Sequence, residues 1–139
     1  MKKGLLFTFI CLVFSGYSQK ISFKINNLED TTVHLVKYFG EKLYYADTAI
    51  MKNGLIQFNG AKQVPGVYAL WLPGQKYFDF VYNNEDVSME TSLPDLMGSL
   101  KVLNSAENNV FIPYIRFISR NKAQVNQSRL RPYTFHKAF

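Results

Sequence analysis

Five acidic side chains in the middle of the chain could support acid–base catalysis, which uses two carboxylates held at a fixed separation: Asp47, Asp79, Glu85, Asp86 and Glu90. Asp79 stands between Phe78 and Phe80, and burial of a carboxyl group raises its pKa. No second catalytic group with a defined position can be named beside it. We therefore rank a hydrolase using Asp79 last among the hypotheses. We expect Asp79 either to lie on a partly wet face beside Tyr77 or to accept a backbone or hydroxyl hydrogen bond, and we expect Asp47, Glu85 and Asp86 to be turn residues.

Thiol, metal and phosphate chemistry have little support in the sequence. The single cysteine, Cys11, lies in an apolar N-terminal stretch, and the two histidines, His34 and His136, are far apart. Metal sites need several convergent ligands, usually His or Cys at short spacing. The glycines are scattered among turns, and no Gly-x-Ser-x-Gly motif is present. We predict no catalytic residue, no cofactor and no metal, and we expect that the chain is not an enzyme.

Aromatic side chains offer a different kind of site. Tyr68, Trp71 and Tyr77, together with Asp79, could form a platform for a glycan or a peptide, and Tyr44 and Tyr45 could extend it. This predicts a small-ligand binding module as an alternative function. The competing interpretation is that these aromatic residues belong to the core, as aromatic residues in strands commonly do.

The C-terminal tail mixes bases and aromatic residues, as binders of single-stranded nucleic acid do: Arg129, Arg131, Tyr133, His136 and Lys137. The N-terminal residues, described below, predict export, and an exported protein rarely meets nucleic acid. We therefore expect a solvated tail and no nucleic-acid partner.

The residues from 66 to 82, GVYALWLPGQKYFDFVY, predict a central β-hairpin. With Gly74 and Gln75 as the two central turn residues, Leu72 would face Tyr77 and Trp71 would face Phe78. One face is then predicted to be core: Val67, Ala69, Trp71, Phe78, Phe80 and Tyr82. The opposite face is apolar enough to be at least half covered. We therefore expect the hairpin in the middle of a sheet rather than at an edge.

Short alternating segments with frequent turn signals surround this hairpin. Strands are predicted at residues 20–26, 31–39, 43–50, 55–58, 87–91 and 100–103, the third interrupted near Asp47, with a hairpin turn at Asn53-Gly54. After Asn104 the apolar residues recur at helical spacing, which predicts one α-helix. The predicted fold is all-β, an antiparallel β-sandwich or open barrel of short strands followed by one C-terminal α-helix.

The helix is predicted over residues 104–122. Its apolar side comprises Phe111, Tyr114, Ile115 and Ile118, and its polar side comprises Asn109, Pro113, Arg116 and Arg120. Asn104 or Ser105 is the predicted N-cap, and Pro113 is expected to bend or break the helix.

The N-terminal residues predict export. Lys2 and Lys3 precede an apolar stretch too short for a stable membrane span, and Gly16 and Ser18 are small residues at the positions that favour cleavage. We expect a signal peptide at residues 1–18 and an extracytoplasmic protein in the periplasm or cell envelope. The remaining regions are a β-sandwich domain (19–103), the helix (104–122), and a loosely ordered tail (123–139).

Charge is divided unevenly along the chain. The formal net charge is +6, yet residues 19–100 contain seven lysines against nine acids, a net −2. The basic residues are concentrated after residue 100, so a basic binding surface across the whole domain is not supported.

Four segments of the sequence resemble those of a known family: DTTVHLVKYFGEKLYYADTA, NGLIQFNG, PGVYALWLPGQKYFDFVYNNE and LNSAENNVFIPYIRFI. In order and spacing they resemble the Bacteroidota domain-of-unknown-function family numbered 4369, over about residues 20–122. Such domains commonly stand between a secretion signal and a helical segment with a thioredoxin-like domain of the thiol-disulfide oxidoreductase type. The resemblance implies a non-catalytic accessory domain that positions or docks such a domain or another envelope protein. The chain contains no Cys-x-x-Cys, and its basic, aperiodic end would also fit a truncated or frame-shifted fragment of a longer oxidoreductase.

Overall fold

A computed structural model describes residues 18–128 of the chain. Eight strands precede one long helix: β1 (Lys20–Asn26), β2 (Thr32–Phe39), β3 (Lys42–Ile50), β4 (Leu55–Asn59), β5 (Gly66–Leu72), β6 (Lys76–Tyr82), β7 (Val87–Ser92), β8 (Lys101–Asn104) and α1 (Ala106–Ser128). A short 3-10 helix, Gly60–Lys62, follows β4. The predicted all-β fold with one C-terminal helix is confirmed. The strands form two sheets packed as a sandwich, and the sheets do not close into a barrel.

Sheet I has the strand order β4-β1-β7-β8, and sheet II has the order β3-β2-β5-β6. Every pairing is antiparallel except that of β1 with β7, which is parallel. The predicted antiparallel sandwich therefore contains one parallel pair. The chain leaves sheet I after β4, builds β5 and β6 in sheet II, and returns as β7 beside β1 in the same direction.

The core lies between the inner faces of the two sheets. Its centre is aromatic: the Phe23 ring packs edge-on against Phe78 and Phe80, with centroids 5.6 and 5.1 Å away, and Tyr68 stacks on Phe80 at 5.9 Å. Aromatic pairs at such separations add to the stabilisation that burial of apolar area already gives. The two sheets are therefore held face to face by side chains from β1, β5 and β6.

The central hairpin buries the predicted face of β6 but the opposite face of β5, so the predicted face assignment is wrong for β5. Its loop has three residues, Pro73 to Gln75, so Leu72 faces Lys76 and Trp71 faces Tyr77. Because side chains alternate along a strand, this shift by one residue exchanges the two faces of β5. The core therefore takes Tyr68, Leu70, Leu72, Phe78, Phe80 and Tyr82, while Val67, Ala69 and Trp71 point outward. The hairpin also supplies an edge strand, β6, instead of lying wholly inside the sheet.

Two local predictions agree with the structure. Asn53 and Gly54 both have positive φ, 52° and 77°, as the predicted Asn-Gly hairpin turn requires. The register of β2 with β3 shifts where Leu35 pairs with Asp47 and Val36 pairs with Tyr45. Ala46 is therefore the extra residue of a β-bulge, at the place where the third strand was predicted to be interrupted.

Helix α1 begins as predicted but differs in extent and in its buried side. Ser105 is the N-cap, because its Oγ accepts from the Asn108 backbone N–H at 3.0 Å. The helix continues past Pro113 without a break and ends at Ser128, beyond the predicted end at residue 122. The exposed Pro113 removes a hydrogen bond whose carbonyl partner can meet water.

The predicted polar and apolar sides of α1 are wrong at several positions. Tyr114 and Ile118, predicted to face the core, are exposed, whereas Arg116, predicted to face solvent, lies against the loop before β8. The Arg116 guanidinium donates to the carbonyl oxygens of Met97, Gly98 and Leu100, which explains its position. Residues 1–17 of the predicted signal peptide, with Cys11, and the tail residues after 128 lie outside the described residues.

Candidate functional site

The outer face of sheet II carries a cluster of aromatic and polar side chains, which we call the aromatic face: His34, Tyr38, Tyr45, Trp71, Tyr77 and Asp79. Strand register brings them together, because His34 pairs with Trp71 across β2 and β5, and Trp71 pairs with Tyr77 across β5 and β6. The small residues between them, Val36 and Ala69, are buried although they point away from the core. Larger neighbouring side chains therefore cover the floor of this face.

Two ring pairs remain accessible on the aromatic face. The Trp71 and Tyr77 rings lie 5.4 Å apart and are tilted by 40°, and Tyr77 is 49% exposed. On the other side of Trp71, the His34 ring meets Tyr45 edge-on at 5.3 Å, with Tyr45 80% exposed. Exposed aromatic rings suit contact with a planar, apolar or cationic group.

Asp79 is the acidic member of the aromatic face. Its Oδ1 accepts a hydrogen bond from the Tyr38 hydroxyl at 2.9 Å, which agrees with the expectation that Asp79 accepts a hydroxyl hydrogen bond. Burial raises the pKa of Asp79 above its ordinary value, and the hydrogen bond from Tyr38 offsets part of that rise. Burial, together with the bond to Asp79 and its negative charge, raises the pKa of Tyr38 to about 12. The Tyr38 hydroxyl is thus fixed as a donor to Asp79 in the ordinary pH range.

Of the predicted platform residues, Tyr68 is not on this face. It is 1% exposed in the core, and its hydroxyl donates to the Val64 carbonyl at 2.6 Å. The prediction that Tyr68 contributes an exposed aromatic ring is therefore wrong, for the reason that also misplaced the faces of β5. Trp71, Tyr77 and Asp79 do lie together on the outer face. Tyr44 is half exposed and pairs with Phe39, away from this cluster.

The other candidate carboxylates each have their own local partner. Asp47 accepts from the Thr48 backbone N–H, and Asp86 accepts from the Lys20 backbone N–H. On the outer face of sheet I, Glu90 forms an ion pair with Lys24 at 3.2 Å and accepts from Asn26. No hydrogen bond or ion pair among the described residues joins two of the five acids.

Metal ligands do not converge in the part of the chain that the structure describes. Between residues 18 and 128, no group of three His, Cys, Asp or Glu side chains could hold an ion. His34 instead shares a hydrogen bond with the Thr48 hydroxyl at 3.0 Å. Over the same residues, no helix combines the length and the apolarity needed to cross a bilayer.

Sequence reasoning missed a second polar cluster, which fastens α1 to the edge strand β6. The Asn108 side chain, 0% exposed, accepts from the Val81 backbone N–H at 2.8 Å and donates to the Val81 carbonyl at 2.7 Å. The side-chain amide thereby takes the place of a neighbouring strand at this point of the edge. The Ser-x-x-Asn spacing predicts the cap, but no sequence signal pairs Asn108 with Val81.

Glu85 completes this cluster from the loop after β6. Its carboxylate accepts from the Ser105 hydroxyl at 2.5 Å and from the backbone N–H groups of Ala106 and Glu107 at 2.9 and 3.2 Å. Burial alone would raise the pKa of Glu85, but these three hydrogen bonds outweigh it and hold the pKa below its ordinary value. A carboxylate at a helix N-terminus is also stabilised by the helix dipole. Glu85, which had been assigned to a simple turn, is therefore the anchor of α1.

The side of α1 that faces away from the sandwich is apolar, and we call it the helix stripe: Val110, Tyr114, Phe117 and Ile118. These residues follow the spacing of one helical face, and Phe117 is 65% exposed. The helix therefore has one apolar side partly buried on the domain and a second one open to solvent.

The fold and these surfaces define a two-sheet β-sandwich domain with a helix docked on one edge. A family model described as Domain of unknown function (DUF4369) matches residues 19–111, and the chain belongs to that family. No curated protein and no solved structure matches the chain.

Proposed function

We propose that this chain is a non-catalytic, extracytoplasmic accessory domain that docks and positions a thioredoxin-like domain. The observation that carries the proposal is helix α1, which is fastened to the sandwich on one side and exposes the helix stripe on the other. The family match ends at residue 111, whereas α1 continues to Ser128. Most of the helix thus extends beyond the part of the chain that the family shares.

The attachment of α1 supports a positioning role. Asn108 and Glu85 hold its first turns, and Arg116 binds three loop carbonyls about two turns later. A helix fixed at several points presents its outer side in a constant orientation. An exposed apolar stripe on such a helix suits a partner that buries it.

The N-terminal residues and the sequence resemblance support the location and the partner. The leader-like residues 1–18 favour an extracytoplasmic location. The proteins that the sequence resembles place a helical segment and a thioredoxin-like domain after this domain. The helix stripe is the surface that such a neighbour would contact first.

Isothermal titration calorimetry tests this proposal. The full chain is titrated with a thioredoxin-like domain of the thiol-disulfide oxidoreductase type, and binding is expected. The double variant Tyr114→Ser/Phe117→Ser should weaken the binding by about tenfold or more, since exposed aromatic residues contribute much of the energy at such interfaces.

The matched control is Phe39→Ser, which removes an exposed aromatic residue at the turn between β2 and β3. This variant should bind as the unchanged chain does. Absence of binding by the unchanged chain, or equal loss in the double variant and in the control, would contradict the proposal.

A second candidate function is a small-ligand binding module for a glycan or a peptide. The observation that favours it is the grouping of Trp71, Tyr77 and Asp79 on the exposed aromatic face. The two functions use different surfaces and do not exclude one another. A hydrolase using Asp79 is not proposed, since no second catalytic group with a defined position can be named beside it.

A further inference from the structure

We propose that the aromatic face binds a lysine or arginine side chain of an extended partner peptide. Asp79 supplies the anionic contact, and Trp71 and Tyr77 supply the aromatic contacts. The inference rests on the second candidate function and gives its ligand a definite chemistry.

The negative charge of Asp79 favours a cationic ligand. Asp79 is the acidic residue that points outward from sheet II. The lysines in the strands of this sheet, Lys37, Lys42 and Lys76, point to the opposite side because side chains alternate along a strand. Among the described residues, no cation lies within ion-pair distance of Asp79. Tyr38 satisfies one carboxylate oxygen, and the other is open to solvent. A negative charge without a counter-ion thus stands on an otherwise uncharged face.

The rings of Trp71 and Tyr77 also favour a cationic ligand. A cation over the face of a tryptophan or tyrosine ring is attracted by the ring quadrupole when it lies within about 6 Å of the centroid. Tyr77 stands two residues before Asp79 on the same side of β6, and Trp71 is paired with Tyr77 at 5.4 Å. A cationic group beside the free Asp79 oxygen would therefore have aromatic rings next to it. Carboxylate and rings together favour a cation over a neutral ligand.

The surroundings favour a peptide over a glycan. Strand β3, at the opposite edge of sheet II from β6, adds exposed Leu43, Tyr45 and Ile50, which suit apolar residues of an extended peptide that also carries a basic one. Two of the polar groups that could meet sugar hydroxyls already have partners, His34 with Thr48 and Tyr38 with Asp79.

The free-energy cost of placing the charged Asp79 carboxylate in a half-buried site also supports a binding role. An asparagine at position 79 could accept the same hydrogen bond from Tyr38 without placing a charge in a half-buried site. Retaining a charge where burial opposes it is expected where a ligand uses that charge.

Trp71 is the single tryptophan of the chain, so its fluorescence reports directly on this face. The full chain is titrated with three probes: a peptide of alternating leucine and lysine, the same peptide with its lysines acetylated, and a cello-oligosaccharide. The lysine peptide should change Trp71 emission, and the effect should weaken as salt rises from about 20 mM to about 300 mM. Asp79→Asn should weaken binding about tenfold.

The control variant is Glu90→Gln, which removes one negative charge from the outer face of the other sheet. It should leave binding unchanged, and circular dichroism should show both variants folded. Equal binding of the acetylated peptide, equal binding by Asp79→Asn, or a response to the oligosaccharide alone would overturn the cation site while leaving a binding module. A response to none of the probes would overturn both.

Discussion

Two carboxylates, Glu85 and Asp79, are close together in sequence but differ in the number of hydrogen bonds they accept and in the direction of their pKa shifts. Glu85, just after β6, accepts three hydrogen bonds at the start of α1, and these hold its pKa below the ordinary value. Asp79, in the middle of β6, accepts one from Tyr38 and has a raised pKa. The site of Glu85 stabilises the charged carboxylate, whereas the site of Asp79 disfavours it.

This difference separates structural polar groups from groups available to a ligand. Around Glu85, the side chains of Ser105 and Asn108 and the backbone of Val81 satisfy one another, so the cluster has no need of a further partner. Around Asp79, the charge has no counter-ion among the described residues, and Trp71 and Tyr77 leave part of their surface exposed. We expect changes in the first cluster to alter stability and changes at Asp79 to alter binding.

The largest effect is expected for Asn108→Ala. The substitution removes the side chain that pairs with both backbone groups of Val81 and with Ser105, in a fully buried position. Leaving these groups without partners should lower the free energy of unfolding by about 2–4 kcal/mol, measured by urea denaturation. The neighbouring, exposed Asn109→Ala should change it by less than about 0.5 kcal/mol. Equal effects of the two variants would show that the cluster does not fasten the helix.

A smaller loss is expected for Glu85→Gln. Because the pKa of Glu85 is lowered in the folded state, its charge stabilises the protein above the ordinary value of 4.5, and this stabilisation is lost as the pH falls through the folded-state pKa. At pH 7 the variant should be less stable by about 1 kcal/mol, a value that allows for solvent screening at a helix end.

The loss in Glu85→Gln should shrink as the pH falls below 4.5. Glu41→Gln, in the exposed turn between β2 and β3, is the matched control and should change the stability at pH 7 by less than about 0.5 kcal/mol. A loss that stays constant with pH would mean that the charge of Glu85 has no part in capping α1.

The smallest effect on stability, and one of opposite sign, is expected for Asp79→Asn. The raised pKa of Asp79 means that its protonated form adds stability below the ordinary value of 3.8, and this is lost as the pH rises through the folded-state pKa. At pH 7 the neutral variant should match or exceed the unchanged chain by no more than about 1 kcal/mol. At acid pH, thermal denaturation should no longer distinguish them. A clear destabilisation at pH 7 would make Asp79 a structural residue.

Local signals allowed much of the fold to be predicted. Asn53-Gly54 specifies its turn through its own backbone preference, and Ser105 specifies the helix start through its side chain. The register of the central hairpin could not be predicted, because the choice between a two- and a three-residue loop at Pro73-Gly74-Gln75 decides every face of β5.

The candidate site could be predicted only in part, because its partners are distant in sequence. Asp79 was expected to accept a hydroxyl hydrogen bond, but the donor, Tyr38, lies 41 residues away and is selected by strand pairing. The bond from Asn108 to Val81 spans 27 residues and depends on how α1 docks. Such pairings follow from tertiary structure, which no local pattern encodes.

The most direct test is a pH titration of the side-chain carboxyl groups by NMR, with assignments for Asp79 and Glu85. We predict that the pKa of Asp79 lies above 3.8 and that of Glu85 below 4.5, their respective ordinary values. Shifts in these opposite directions would confirm that the site of Glu85 stabilises the charged carboxylate and that the site of Asp79 disfavours it. A lowered pKa for Asp79, or a raised one for Glu85, would contradict the distinction on which the account depends.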